Sequence, residues 1–331
     1  MDWSTRVTEL LGSRYPIIQG AFGGFGNSAL AAPVSEAGGF GIITASALRT
    51  PAKLREDIMR ARSMTDGPFG VNLSVGLCPS IDEMRETAIE ERVPVIFTAA
   101  YRADDHGRRI HDAGLKWVHK VVTIQHAVAA ERQGADAVVI VGLEGTAFKS
   151  IYQLPTLVGV TTAVQKLKIP IIAAGGIGDA RGLLAALAMG AEGVYMGTRF
   201  LATKECPISQ RHKQKLVDAD PWDPEFKDRC LAPPRAEEYE NIMKERGSIS
   251  QDEWLVRLEQ VMFRHEPETG LKIDSDWGAE EALRIAGGSL AVGVIKSVPT
   301  VKELIEGIIR EAEEILAGAG PLGRLFGSTH T

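Results

Sequence analysis

Short runs rich in β-branched residues alternate eight times with longer helix-patterned runs between residues 16 and 197, and this alternation leaves few folds open. A helix that joins two neighbouring strands must carry the chain back to the starting edge, so the strands run parallel and the helix covers one face of the sheet. The runs at 16–19, 41–44, 70–73, 95–98, 117–122, 137–141, 171–174 and 194–197 read as strands, and those at 28–37, 51–62, 81–91, 124–133 and 180–189 read as helices. Local chemistry marks the boundaries. Thr50 precedes Pro51 at a first helical position, Ser80 stands three residues before Glu83 at capping-box spacing, and Gly38, Gly114, Gly134 and Gly190 fall where helices stop. Eight such units predict an α/β chain of the (β/α)8 TIM barrel class, with its active site at the carboxyl ends of the strands.

After strand eight the pattern changes. Residues 204–285 are charged, contain Pro207, Pro221, Pro224, Pro233, Pro234 and Pro267, and show helical pieces without matching strands, so they read as a helical addition after strand eight. The expected organisation is a barrel over 1–203 closed by helices in 286–317, an addition over 204–285 and a mobile tail at 318–331. The last helix begins at Thr300, with Val301, Leu304, Ile305, Ile308 and Ile309 forming one apolar stripe. The addition suits a lid over the site, a seat for a carrier such as coenzyme A, or a subunit interface, which leaves a homodimer open. Arg199, Lys204, Arg211 and Lys213 are candidates for anionic carrier groups, with a solvated helix face as the preferred reading.

A formal charge of −6 gives no broad basic field, which argues against nucleic acid and anionic membrane as partners. Cys78, Cys206 and Cys230 are odd in number and far apart, and His106, His111, His126, His212 and His265 lack metal-ligand spacing; no disulfide framework and no metal is expected. Residues 1–11 carry no signal-like apolar run and no stretch reaches the length of a spanning helix, so a cytoplasmic location is expected.

Glycines cluster where barrels of this class bind phosphate, on the loops after strands seven and eight: Gly175-Gly176 in the first, Gly197 of Met196-Gly197-Thr198-Arg199 in the second. Lacking Cβ atoms, they let backbone N–H groups approach an anion closely. Together with Pro16-Ile17-Ile18-Gln19-Gly20-Ala21-Phe22, Phe69-Gly70-Val71-Asn72-Leu73, His119-Lys120-Val121 and Gly134-Ala135-Asp136-Ala137, these segments make the chain resemble the nitronate monooxygenase family, formerly 2-nitropropane dioxygenases, which also contains flavin enoyl-acyl-carrier-protein reductases. The resemblance implies FMN at the barrel mouth, its phosphate on Gly175, Gly176, Met196, Gly197 and Thr198. It further implies Gly20, Ala21 and Phe22 against the ring, Asn72 at the ring edge and Lys120 as a cation beside it. Because strand side chains alternate, only one of His119 and Lys120 enters the barrel; Lys120 is expected inside and His119 on the helix side as a structural residue. Glu144 serves either the ribityl chain or the neighbouring backbone.

The chain departs from the family after strand six. Where family members carry a proton-handling histidine, the segment Gly142-Leu143-Glu144-Gly145-Thr146-Ala147-Phe148-Lys149-Ser150 places Phe148, which exchanges no proton. Lys149 and Tyr152 are the nearby replacement candidates, and Phe148 offers an apolar wall. The expected function is an FMN-dependent oxidoreductase, with NADH or NADPH as electron donor, acting on a hydrophobic activated substrate such as an enone or an enoyl thioester of coenzyme A or acyl carrier protein. Two alternatives stay open: oxidation of alkyl nitronates without the histidine, and a flavin-binding barrel that has lost catalysis. An inosine-monophosphate-dehydrogenase-type site is set aside because residues 142–150 contain no cysteine.

Overall fold

A computed structural model describes residues 1–21, 26–76, 78–100, 102–146, 150, 152–231, 288–318 and scattered positions between 241 and 257. Eight parallel strands, β1 (Ile17–Gln19), β2 (Gly41–Thr44), β3 (Phe69–Ser74), β4 (Val95–Ala99), β5 (Lys116–Val121), β6 (Ala137–Val141), β7 (Ile171–Ala174) and β8 (Gly193–Met196), form one sheet in which every strand but the closing pair lies beside its neighbour in sequence. β1 pairs with β8, and the ring closes through a parallel bridge between Ile18 and Phe40 just ahead of β2. Since β1 has only three residues, a side chain completes the seam: the Gln19 carboxamide oxygen accepts the Ile42 N–H at 2.9 Å, where a strand carbonyl would otherwise stand. The fold is the expected (β/α)8 barrel.

The pleat sorts the side chains into two cores. Ile18, Ile42, Val95, Phe97, Val118, Val139, Ile172 and Tyr195 point inward and fill the barrel, while Ile17, Ile43, Val71, Ile96, Trp117 and Ile140 point outward beneath the helices. An amino-terminal helix, Arg6–Leu11, plugs the floor with Val7 and Leu11, both buried in the inner core. The carboxyl-terminal helix, Val301–Leu316, lays its predicted stripe against the helices Ser28–Glu36 and Ala180–Ala188. Among the described residues no helix is long and apolar enough to cross a membrane.

Most predicted boundaries match their chemistry. Thr50 caps its helix by accepting the Lys53 N–H, and Gly38, Gly114, Gly134 and Gly190 take φ of 87°, 75°, 94° and 95°, the left-handed conformation that ends a helix. Ser80 does not: its φ of 47° turns the hydroxyl away from the helix amides and no side-chain cap forms, so the capping box at Ser80 and Glu83 is corrected. Of the helical addition, two helices, Gln210–Asp218 and Pro224–Leu231, are described; most of 232–287 and the tail from 319 lie outside the described residues. Arg199 and Lys213 are corrected as well. Both are buried at about one-twentieth exposure, with Arg199 donating to the carbonyls of Ala202 and Ser297 and Lys213 to that of Lys204, so they are structural pins rather than a solvated face.

Close packing at β2 leaves no room for a side chain at Gly41, where a Cβ would lie 2.7 Å from Ala31 Cα and overlap the Ala31 carbonyl. Gly41→Ala is expected to lower the unfolding free energy by about 3 kcal/mol or more, read from urea denaturation, because backbone rather than a flexible side chain must move.

Candidate active site

The carboxyl ends of the strands converge on a small pocket lined by Ala100, Lys120, Val121, Val122, Val141 and Thr146. Lys120 is its one lining residue with an ionisable side chain. It points into the barrel because Val118, two residues earlier, faces the inner core. Its Nζ lies 5.4 Å from the centroid of the Tyr195 ring, a cation–π distance, and among the described residues no carboxylate pairs with it. Burial without a counter-charge pulls the ammonium down from its usual range to about 8.

His119 faces the other way. The Thr98 hydroxyl accepts the Trp117 indole N–H at 2.7 Å and pairs with His119 Nδ1, also at 2.7 Å. Burial pushes the imidazole down to about 4, so it is neutral at working pH. It holds β4 to β5 behind the site.

Opposite Lys120, β2 and β3 present Thr44 and Asn72, which are register partners. Both are about 2% exposed, and the Thr44 hydroxyl oxygen and the Asn72 carboxamide oxygen have no hydrogen-bond partner; Asn72 Nδ2 donates to Ser74 Oγ at 3.1 Å. Two buried acceptors left open side by side await a ligand, since an unmet buried polar group costs about 1–3 kcal/mol.

The loops after β6, β7 and β8 are locked together. Glu144 Oε2 accepts both the backbone N–H and the hydroxyl of Thr156, at 2.8 and 2.7 Å, and the same hydroxyl lies 2.9 Å from the Gly175 carbonyl. Glu144 thus orders neighbouring backbone through one of its two carboxylate oxygens. Gly175 and Gly176 take φ of 103° and 72°, and a Cβ on Gly175 would press to 2.9–3.0 Å on Thr156 and Gly142, so the double glycine is a steric requirement. Gly197 precedes a short helix, Thr198–Leu201, and Thr198 Oγ1 is 2.9 Å from Ser289 Oγ, which ties the returning segment to this loop. Met196 points outward into the helix-side core and contributes its carbonyl, which accepts the Gly20 N–H at 2.7 Å. Gly20 is packed within 2.8 Å of the Tyr195 ring for an added Cβ, and the Tyr195 hydroxyl accepts the Ala21 N–H.

Tyr152 is 65% exposed and absent from the cavity lining. Phe22, Phe148 and Lys149 lie outside the described residues. Cys78 is buried, which raises its thiol to about 12, and it is unreactive as a thiolate at neutral pH. Thr44, Tyr195 and Gln153 escaped the sequence reading. Inward parity within β2 and β8 marks the first two; nothing in the sequence marks Gln153, whose Nε2 donates to the carbonyls of Val141 and Gly142 at 3.0 and 3.1 Å.

The family model described as nitronate monooxygenase matches residues 4–311. The chain belongs to the nitronate monooxygenase family. As a member it is an oxidoreductase, and its relatives within curated proteins divide by coverage. It is 31% identical over 97% of its length and 99% of theirs to the (3aS,4S,5R,7aS)-5-hydroxy-7a-methyl-1-oxo-octahydro-1H-indene-4-carboxyl-CoA dehydrogenase of Mycobacterium tuberculosis. It is 32% identical to a probable nitronate monooxygenase of Staphylococcus aureus over 66% of this chain and 73% of that one. Among solved structures, FabK from Thermotoga maritima superposes with a TM-score of 0.73 at 32% identity, covering 98% of this chain and 99% of that one.

Glu144 is the joint of this family member's loops, so Glu144→Ala strands the Thr156 amide and frees the Gly175 loop. A loss of roughly 2 kcal/mol in unfolding free energy is expected from the charge-assisted bonds, with Glu144→Gln recovering part of it; thermal and urea unfolding report both.

Proposed function

We propose that the chain is an FMN-dependent oxidoreductase acting on an acyl thioester of coenzyme A, with NADH or NADPH as donor when it runs as a reductase. FMN, when bound, supplies a two-electron acceptor and donor at the barrel mouth. The strand ends carry groups that suit it. Gly175 and Gly176 have left-handed backbones with no room for a Cβ, as close approach of an anion to backbone requires, and Tyr195 holds Ala21 on the other side. The open oxygens of Thr44 and Asn72 accept or answer hydrogen bonds at its edge.

The observation that carries this reading is Lys120, a cation held over an aromatic ring at the cavity with no described counter-ion. A positive charge placed without reorganisation favours electron density arriving beside it. With Phe148 in place of the family's histidine, Lys120 is also the cavity's proton-bearing group, poised by burial near working pH. Coverage supports the thioester: a coenzyme A ester dehydrogenase matches over nearly its whole length, whereas the nitronate monooxygenases match about two thirds of the chain.

Purified protein is expected to be yellow and to release FMN on denaturation; colourless material that refuses added FMN sinks the proposal. Turnover of the ammonium-dependent step should fall as pH rises through about 8, because Lys120 loses its proton there, and Lys120→Met should lower the rate and remove that limb of the profile. Rapid anaerobic bleaching of the flavin by propionate-3-nitronate, with none by acyl-coenzyme A thioesters, would instead favour nitronate oxidation.

A further inference from the structure

Thr44 stands at the position that normally caps a helix, the residue before Ala45–Leu48, yet its hydroxyl makes no cap bond. Elsewhere in the chain Thr5, Asn27, Thr50, Thr123, Asp179 and Ser209 all cap with their side chains. Thr44 is turned instead into the barrel, on the side of Ile42, and it is buried at 2% exposure with no partner for its oxygen. Its register partner Asn72 is in the same condition. One N–H of the Asn72 amide goes to Ser74 Oγ, and its carbonyl oxygen is left with no partner, an acceptor that calls for an N–H. The Thr44 hydroxyl beside it has a proton to give.

A donor next to an acceptor reads an N–H flanked by a carbonyl. Resting on the flavin reading above, we infer that Thr44 and Asn72 together grip the imide edge of the isoalloxazine, Asn72 accepting its N–H and Thr44 donating to the adjoining carbonyl. Thr44 is thereby a cofactor-binding residue that tunes the ring: a hydrogen bond to that carbonyl stabilises the more electron-rich reduced form and raises the reduction potential. The same geometry predicts opposite effects on the free and the loaded protein. Replacing the hydroxyl by a methyl removes an unmet buried polar group from the free protein, while it removes a bond from the loaded one.

The test uses full-length apoprotein titrated with FMN, for wild type, Thr44→Val, Thr44→Ser and Thr44→Ala. Thr44→Val is expected to bind FMN roughly three- to tenfold more weakly, as the loss of one neutral hydrogen bond implies. Its bound flavin should show a shifted visible band and a more negative potential, and its apoprotein should melt no lower than wild type. Thr44→Ser, which keeps the hydroxyl, should bind like wild type, and Thr44→Ala supplies a second hydroxyl-free variant should the valine disturb folding. FMN methylated at the imide nitrogen should bind wild type more weakly than FMN. Unchanged affinity, spectrum and potential in both hydroxyl-free variants would overturn the assignment while leaving the flavin reading intact. Failure of wild type itself to take up FMN would overturn both.

Discussion

The mouth of the barrel depends on how the sheet closes between β1 and β2. Parallel strands need a carbonyl opposite each amide, and β1 is too short to supply one at Ile42, so Gln19 lends its side-chain oxygen. This one substitution sets the height of β2 relative to β1. It therefore sets where Gly20 and Ala21 leave the sheet on one side of the seam and where Thr44 stands on the other. A glutamine rather than an apolar residue is required here, because an unanswered Ile42 amide would sit in a fully buried position.

From that seam the site is assembled by two kinds of constraint. The inner faces of β2, β3, β5 and β8 carry Thr44, Asn72, Lys120 and Tyr195 on stiff strands, where rotation of the side chain costs packing. The loops after β6, β7 and β8 have no such stiffness and are tied to each other, through Glu144, Thr156 and Ser289. Tyr195 belongs to both sets. Its ring bears on Lys120 and its hydroxyl holds Ala21, so the cation and the first loop share one support.

Much of this was legible in the sequence because periodicity and parity are local. Alternation of strand and helix runs predicted the barrel, and the placement of His119 and Lys120 on opposite faces needed only the pleat. What was not legible required knowing which residues meet across the chain. Thr44 reads as an ordinary helix-starting threonine until its register with Asn72 is known. Arg199 and Lys213 read as surface cations, since nothing nearby in sequence announces that the carbonyls of Ser297 and Lys204 will receive them. Ser80 has the spacing of a cap but a left-handed backbone, a conformation set by the turn that precedes it rather than by its own type.

The free protein carries an energetic debt at this mouth. Thr44 and Asn72 each hold a buried oxygen without a partner, and the half-buried Lys120 has no counter-charge among the described residues, all within one ring of strand ends. Natural interiors tolerate such groups where a ligand answers them, and a ligand that binds only the folded state returns the cost as stability. Donor, acceptor and cation are held in place by the strands that carry them, so a ligand that answers them need not reorder the sheet. Behind Lys120, the bonds among Thr98, Trp117 and His119 hold β4 and β5 in register, so the cation stands on a strand that is fixed from its far side.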